Sequence, residues 1–250
     1  MLLKIYKKIA GVLGFKLIDK NLIKNDRELS KHAFYSLDKM LENIFAKQNI
    51  KTLVQIGSND GVRFDSLNKF IKKYFPKTIL IEPIKNNFID LKKNYKDQKN
   101  VFFENSAISV NNEINILFKV DEAKSHLYGE HIKGITSFNI EHLLRHDVKK
   151  AHVKKEKVNL ISIKNLLDKY SINQLDLLVV DTEGYDGDII IDFLSTSTLR
   201  PLIILEYIHI KNNTFKKLLD LLNLKKFHFF KIDENLICFP TEFDNSKNIF

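Results

Sequence analysis

From residue 52 onward, short apolar runs alternate with amphipathic stretches, and this rhythm constrains the fold more than any other feature. "TLVQI" (52–56), "TILIE" (78–82), "VFFEN" (101–105), "LDLLVVD" (175–181) and "PLIILEY" (201–207) are strands with few solvent-facing positions. Between them, "FDSLNKFIKKY" (64–74), "NNFIDLKKNY" (86–95), "SIKNLLDKYSI" (162–172), "GDIIIDFLS" (187–195) and "NTFKKLLDLL" (213–222) space their apolar residues as helices do. Strands buried on both faces read as continuous apolar runs, and the intervening helices cover the two faces of a parallel sheet. "KFHFFKI" and "NLICFP", joined through the turn "DEN" (233–235), add an antiparallel edge. "EINILFKV" (113–120) and "VNLI" (158–161) are additional strands.

Two regions depart from the rhythm. Before it, "SKHAFYSLDKMLENIFAKQ" (30–48) is predicted as an amphipathic helix with Ser30 as its N-cap, so residues 1–49 form a helical N-terminal extension to an α/β domain at 50–250. Residues 1–18 mix Leu2, Ile5, Ile9, Val12 and Leu13 with Lys4, Lys7, Lys8 and Lys16. The lysines break both a transmembrane span and a signal-peptide core. What remains is an in-plane helix at a membrane surface or a helix packed on protein. Inside the domain, residues 121–157 have weak periodicity and hold His126, His131, His142, His146 and His152. A connection this long is expected to be mobile or to face a substrate.

Composition excludes some classes and leaves others open. The 250 residues are 44% hydrophobic and 28% charged, which suits one folded core rather than disorder. The formal charge of +9 reflects lysines spread along the chain, consistent either with a genome-wide bias or with attraction to polyanions. The single cysteine, Cys238, permits no internal disulfide, and no Cys/His ligand spacing marks a metal site. The expected location is the cytoplasm, extending to the inner face of a membrane if residues 1–18 bind lipid.

In open α/β sheets, ligands bind beyond the carboxyl ends of the strands, and every core strand here ends in polar groups. The first leads into Gly57, Ser58, Asn59, Asp60 and Gly61. The second ends at Glu82 and Pro83, the third at Asn105, Ser106 and Ala107. The last two end at Asp181-Thr182-Glu183-Gly184 and at Glu206, Tyr207 and His209. Glu82 follows the glycine loop by about 20 residues, the spacing at which a carboxylate meets ribose hydroxyls. The loop lacks the third glycine of a pyrophosphate cradle, and Asp60 would repel a diphosphate. A cationic, phosphate-free nucleoside fits better, and S-adenosylmethionine is such a ligand.

The segments "VQIGSNDG", "ILIEPIKNNFIDLKKNY", "NSAIS", "LISIKNLLDKY", "LDLLVVDTEGYDGDII" and "LIILEY" resemble, in order and spacing, the FkbM-type methyltransferase family. The likeness spans about residues 50–240 and is strongest at the first motif and at "DTEGYD", which resembles the family's DxEGxE. It implies a class I, Rossmann-like, mostly parallel seven-stranded sheet with helices on both faces and an antiparallel edge strand. It also implies S-adenosylmethionine as donor and methyl transfer to oxygen, often on sugars. By position, Gly57, Asn59 and Gly61 match the cofactor turn, Glu82 the ribose acid, and Ser106 and Ala107 the wall near the adenine. Asp181 and Glu183 match the acidic motif facing the methyl group. Gln55 stands where the family commonly has Asp, with Asp60 as a partial substitute for the ammonium contact, and Asp186 replaces the motif's second Glu.

Together these readings place the donor among Gln55, Gly57, Ser58, Asn59, Asp60, Gly61, Glu82, Pro83, Asn105, Ser106, Ala107 and Asp181. Methylation of a hydroxyl also needs a proton acceptor. His209 is the favoured base, because a histidine titrates near working pH, with Asp181 and Glu183 positioning the acceptor. Glu183, Glu206 and His126 are assigned to the acceptor. Asp181 and Glu206 could instead hold Mg²⁺, a lesser reading. The expected activity is O-methylation of a sugar in a glycan or glycolipid. The alternatives are a nucleic-acid or other small-molecule methyltransferase, or a non-catalytic adenosylmethionine-binding or glycan-scaffolding protein. A nucleic-acid partner is disfavoured, since no basic run is interleaved with aromatics. The bland alternatives are helix-capping acids at Glu183 and Asp186 and a solvated basic surface for the histidines of 121–157.

Overall fold

The computed structural model describes residues 36–111 and 115–242. Ser30 and residues 1–18 lie outside the described residues, as do the expectations attached to them. The described part of the first helix, α1 (Leu37–Lys47), buries Met40, Leu41, Ile44 and Phe45 along one face. Phe45 stacks on Phe70 of α2 (Asn68–Tyr74) with ring centroids 5.1 Å apart. This helix belongs to the same compact unit as the sheet.

The apolar runs fold as the rhythm predicts. Strands β1 (Thr52–Ile56), β2 (Lys77–Ile81) and β3 (Val101–Glu104) alternate with α2 and α3 (Lys85–Asn94). After a long insert come α6 (Ile163–Lys169), β9 (Leu177–Val180), α7 (Asp186–Thr196), β10 (Leu202–Glu206), α8 (Asn212–Leu224), β11 (Phe227–Ile232) and β12 (Asn235–Pro240). The seven sheet strands take the order β11-β12-β10-β9-β1-β2-β3. β12 runs antiparallel between β10 and β11, and the remaining neighbours are parallel. Strand order reverses where β1 lies beside β9, the switch point at which such sheets bind ligands. Leu53, Leu178 and Ile203 in the central strands are inaccessible to solvent, as is Phe193 of α7. Each such side chain contributes on the order of 1.5–3 kcal/mol of burial.

Register makes the rim. Ile56 pairs with Ile81 on one side and Val180 on the other, Ile81 pairs with Glu104, and Val180 pairs with Leu205. The next residue of each strand therefore emerges at one level: Gly57, Glu82, Asn105, Asp181 and Glu206.

The segment between β3 and α6 is folded, not an irregular loop. It contains β4 (Ala107–Ile108), β5 (Ile116–Val120), α4 (Glu130–Gly134), β6 (Thr136–Ser137), α5 (Ile140–Arg145), β7 (Val153–Lys157) and β8 (Leu160–Ile161). β5 pairs antiparallel with β6 and β7, and β4 pairs in parallel with β8. Val120, Ile132, Ile135, Leu143 and Val148 give this insert its own small core. β7 escapes sequence detection because "VKKEK" presents mostly solvated lysines and buries little.

Candidate functional site

A cavity of roughly 320 Å³ opens over the carboxyl ends of β1, β2, β9 and β10. Its size is that of a small-molecule site. The floor is the strand rim, with Gln55, Gly57, Ser58, Asn59, Glu82, Asp181 and Glu206 in the wall. Pro83, Ser106, Ala107 and Ile108 line one flank, and the insert supplies a roof from Leu117, Thr136 and Phe138.

The first loop is shaped by proximity. Gly57 has φ +86°, and a Cβ there would sit 1.7 Å from the Asp181 carbonyl oxygen. Its N–H and that of Ser58 both donate to the Ile81 carbonyl, at 3.0 Å each, tying the turn across the sheet. Asn59, also at positive φ, donates its N–H to Glu82 Oε2 at 2.9 Å, and Ile84 N–H donates to Glu82 Oε1 at 2.9 Å. Burial nevertheless raises the Glu82 pKa to about 7.

Not every residue expected at the donor site reaches the cavity. Asp60 turns away from it, accepting from the N–H groups of Val62 and Arg63 and from Arg63 Nε at 2.6 Å. Burial works to raise its pKa, but these partners hold the carboxyl below its ordinary value. Gly61 packs instead against Leu91 and Tyr95, where a Cβ would meet Tyr95 at 2.5 Å. Asn105 donates its side-chain N–H to the Glu82 and Pro83 carbonyls at 2.9 and 3.1 Å, bracing that turn from behind. His126 sits in a short 3₁₀ helix, Glu122–Leu127, and takes no part in the cavity wall.

Asp65, which sequence reasoning missed, lines the cavity, whereas Asp60 does not. Residues 64–67 precede α2 rather than joining it, because the Asp65 carboxylate accepts from Leu67 N–H at 2.8 Å. Gln55 Nε2 donates to Asp65 Oδ1 at 3.3 Å. Both side chains line the cavity, and Gln55 Oε1 and Asp65 Oδ2 are buried without a hydrogen-bond partner. Unpaired buried acceptors are costly, which leaves a cation or N–H donor to be supplied from the cavity. The signal in the sequence was Gln55 itself: an absent acid on the strand calls for another nearby.

The acidic loop after β9 is built by its last member. Asp186, wholly buried, accepts from the N–H groups of Thr182 and Gly184 at 3.0 Å each. Burial raises its pKa to about 6. The clamp holds Glu183 in left-handed backbone at φ 56°, a conformation costing about 1–3 kcal/mol for a non-glycine residue. Asp181 and Glu206 face the cavity without a cation beside them. Asp181 is open to solvent through the cavity, and enclosure by the surrounding loops, then Asp186 and Glu183, raise its pKa. Burial first, then Asp181 and Glu183, raise Glu206 to about 9, and Glu206 Oε2 is buried without a hydrogen-bond partner.

His209 lies behind this rim rather than in the cavity wall. Its Nε2 stands 3.8 Å from both Glu183 Oε2 and Glu206 Oε2. From the insert, His142 Nε2 reaches the same Glu183 oxygen at 2.8 Å, with His146 beside it. Burial, then His142, lowers the pKa of both His146 and His209. Only the His142/His146 pair, at i, i+4, is local; the convergence joins residues from three separate segments.

A sheet of this order, with an acid-rimmed cavity over its switch point, is that of a class I methyltransferase. Residues 55–233 match the methyltransferase FkbM domain, and the chain belongs to that family, whose members use S-adenosylmethionine. Among solved structures, the chain is similar to methyltransferase FkbM from Methylobacillus flagellatus KT, at 10% identity and TM-score 0.43 over 76% of this chain and 44% of that one. It is also similar to a methyltransferase from Geobacter sulfurreducens, at 10% identity and TM-score 0.42 over 93% and 95% of the two chains. A third is the ribosomal protein L11 methylase from Lactobacillus delbrueckii subsp. bulgaricus, at 12% identity and TM-score 0.39 over 80% and 74%. Curated proteins provide no match to the sequence. No helix among the described residues is long and apolar enough to cross a membrane.

Proposed function

We propose that this chain transfers the methyl group of S-adenosylmethionine to a hydroxyl of a sugar in a glycan or glycolipid. The observation that carries the donor reading is the set of uncompensated acceptors in one cavity: Gln55 Oε1, Asp65 Oδ2 and the raised carboxyls of Asp181 and Glu206. A ligand bearing positive charge neutralises them, whereas a diphosphate would add to the repulsion. When bound, S-adenosylmethionine supplies an electrophilic methyl group on a sulfonium. Glu82 accepts the ribose hydroxyls, Gln55 and Asp65 hold the ammonium, and Pro83, Ala107 and Ile108 cover the adenine. Arg63, in the cavity wall, serves the donor's carboxylate.

Glu206 is the group placed to receive the acceptor's proton. It lines the cavity and its free oxygen needs a partner; protonated at neutral pH in the empty cavity, where its pKa is raised to about 9, it becomes a proton acceptor when the cationic donor ionises it. His209, behind it at 3.8 Å, is a positioning residue in this arrangement. Exposed Lys154, Lys155 and Lys157 on β7 favour an anionic polysaccharide or glycolipid over a neutral acceptor.

Calorimetry with S-adenosylmethionine tests the donor site, and absence of heat in folded protein would refute it. Glu206→Gln is expected to cut turnover by about 10²–10⁴, far more than it weakens donor binding. Mass spectrometry of host glycans, with and without this protein, is expected to show a missing methyl. Unchanged glycans alongside a methylated nucleic acid would overturn the acceptor class.

A further inference from the structure

We propose that His142, His146, His209 and Glu183 bind one divalent transition-metal ion of the zinc class, at the end of the cavity where the insert meets the sheet. The proposal goes beyond the reaction above and does not depend on it. Each residue offers one ligand atom, and the four atoms lie within 4.8 Å of one another. Ligand atoms held about 2.1 Å from a tetrahedral ion are about 3.4 Å apart. His142 Nε2 and Glu183 Oε2, at 2.8 Å, already meet within that span, and His209 Nε2 is 3.8 Å from the same oxygen. Side-chain rotation on the order of 1 Å closes the set.

The donor chemistry sets the class of ion. Three imidazoles and one carboxylate suit zinc, iron, nickel or copper, whereas magnesium favours oxygen ligands and retained water. A simple ion pair accounts for only part of the arrangement. The His142–Glu183 hydrogen bond uses two of the four side chains and leaves His146 and His209 converging on it without reason. The three rings pack with centroids 4.5, 4.9 and 5.4 Å apart. His142 Nε2–H donates to the Glu183 carboxylate, so an ion binding there takes that proton's place, with His146 and His209 each adding a ring nitrogen.

The fold brings the ligands together from three places. His142 and His146, at the i, i+4 spacing of one helical face, come from α5 and its C-terminal cap. Glu183 is aimed by the loop that Asp186 clamps. His209 sits in the turn after β10, where Ile210 N–H donates to the Tyr207 carbonyl, and Gly184 leaves room for that turn to approach. An ion on these four side chains staples the insert to the rim and leaves Glu206 free in the cavity wall.

The test uses the full chain purified without a metal-affinity tag, stripped with chelator, and titrated with Zn²⁺, Co²⁺ and Mg²⁺. One Zn²⁺ or Co²⁺ per chain is expected, with the intense visible absorption of four-coordinate cobalt and no competition from Mg²⁺. Loss of an outer-shell partner typically weakens metal binding 10–100-fold, so His146→Gln and His209→Gln are each expected to cost more than about 100-fold. Circular dichroism and donor-binding calorimetry on the same variants establish that they fold. The proposal is overturned if the unmodified chain binds no stoichiometric Zn²⁺ or Co²⁺, or if both folded variants bind as tightly as it does. Loss of the ion with donor binding intact supports the site, whereas a metal-loaded chain that binds no donor refutes the methyl-transfer reading and leaves the ion in place.

Discussion

At Gly57 the first loop passes so near the end of β9 that a side chain has no room. A methyl there would meet backbone, the Asp181 carbonyl oxygen, which cannot swing aside as a side chain could. Gly57→Ala combines that clash with a positive φ and is expected to cost about 2–4 kcal/mol, read as a lowered denaturation midpoint and lost donor binding. Asp65 gives a complementary case, in which the fold is spared and binding suffers. Asn at this position keeps an oxygen for the Leu67 N–H but removes the charge. A charge-assisted hydrogen bond is worth about 1.5–3 kcal/mol, so Asp65→Asn is expected to weaken donor affinity roughly 10- to 150-fold with little change in stability. Equal affinity for the variant and the unmodified chain in calorimetry would remove Asp65 from the ammonium site. Asp60 and Asp65 both follow the glycine turn, and only three-dimensional placement shows that Arg63 claims one while the other is left for a ligand.

Among the elements, the insert between β3 and α6 separates what the sequence discloses from what it conceals. β1, β2, β9 and β10 were legible because a strand covered on both faces must be apolar throughout, and their register lines up the polar residues that follow. The insert has no such requirement. Only β5 and β8 were legible, at "EINILFKV" and "VNLI"; the other strands are short or solvated on one face, and the core draws single residues from several turns, so no sustained periodicity develops. For the same reason its stability is separable from that of the sheet. Leu143 is fully buried in the insert's own cluster. Leu143→Ala is expected to cost about 2–5 kcal/mol, concentrated locally. Hydrogen exchange then shows amides of residues 116–157 losing protection while β1 and β9 retain theirs. A uniform loss throughout the sheet would mean that the insert and sheet unfold as one unit. The histidine cluster was hidden by the same long-range folding, since His142 and His209 become neighbours only when α5 lies over the rim.

On the scale of the whole molecule, a chain of formal charge +9 gathers Asp181, Glu206, Glu82 and Asp65 around one cavity. Burial lifts Glu82 to about 7 and, reinforced by neighbouring carboxyls, Glu206 to about 9; Asp65 and the more open Asp181 are raised as well. Ordinary values near 4 apply to these groups in the unfolded chain. Between roughly pH 4 and 9 these groups hold more protons in the folded than in the unfolded chain, so their contribution to stability falls as pH rises through that window. A cationic donor reverses the preference, because it favours the ionised carboxyls. Binding at neutral pH must expel protons, so donor affinity is expected to rise from about pH 6 until the donor's own ammonium begins to deprotonate near pH 8. Calorimetry at pH 7 in two buffers of different ionisation enthalpy measures the released protons directly. Release is expected to be positive at pH 7 and smaller in Asp181→Asn. Affinity that falls between about pH 6 and 8, or proton uptake at pH 7, would show that the cavity charges are not compensated by the donor. A donor-free chain should also lose stability over the same interval in which its affinity grows, because both effects follow from the same raised carboxyls.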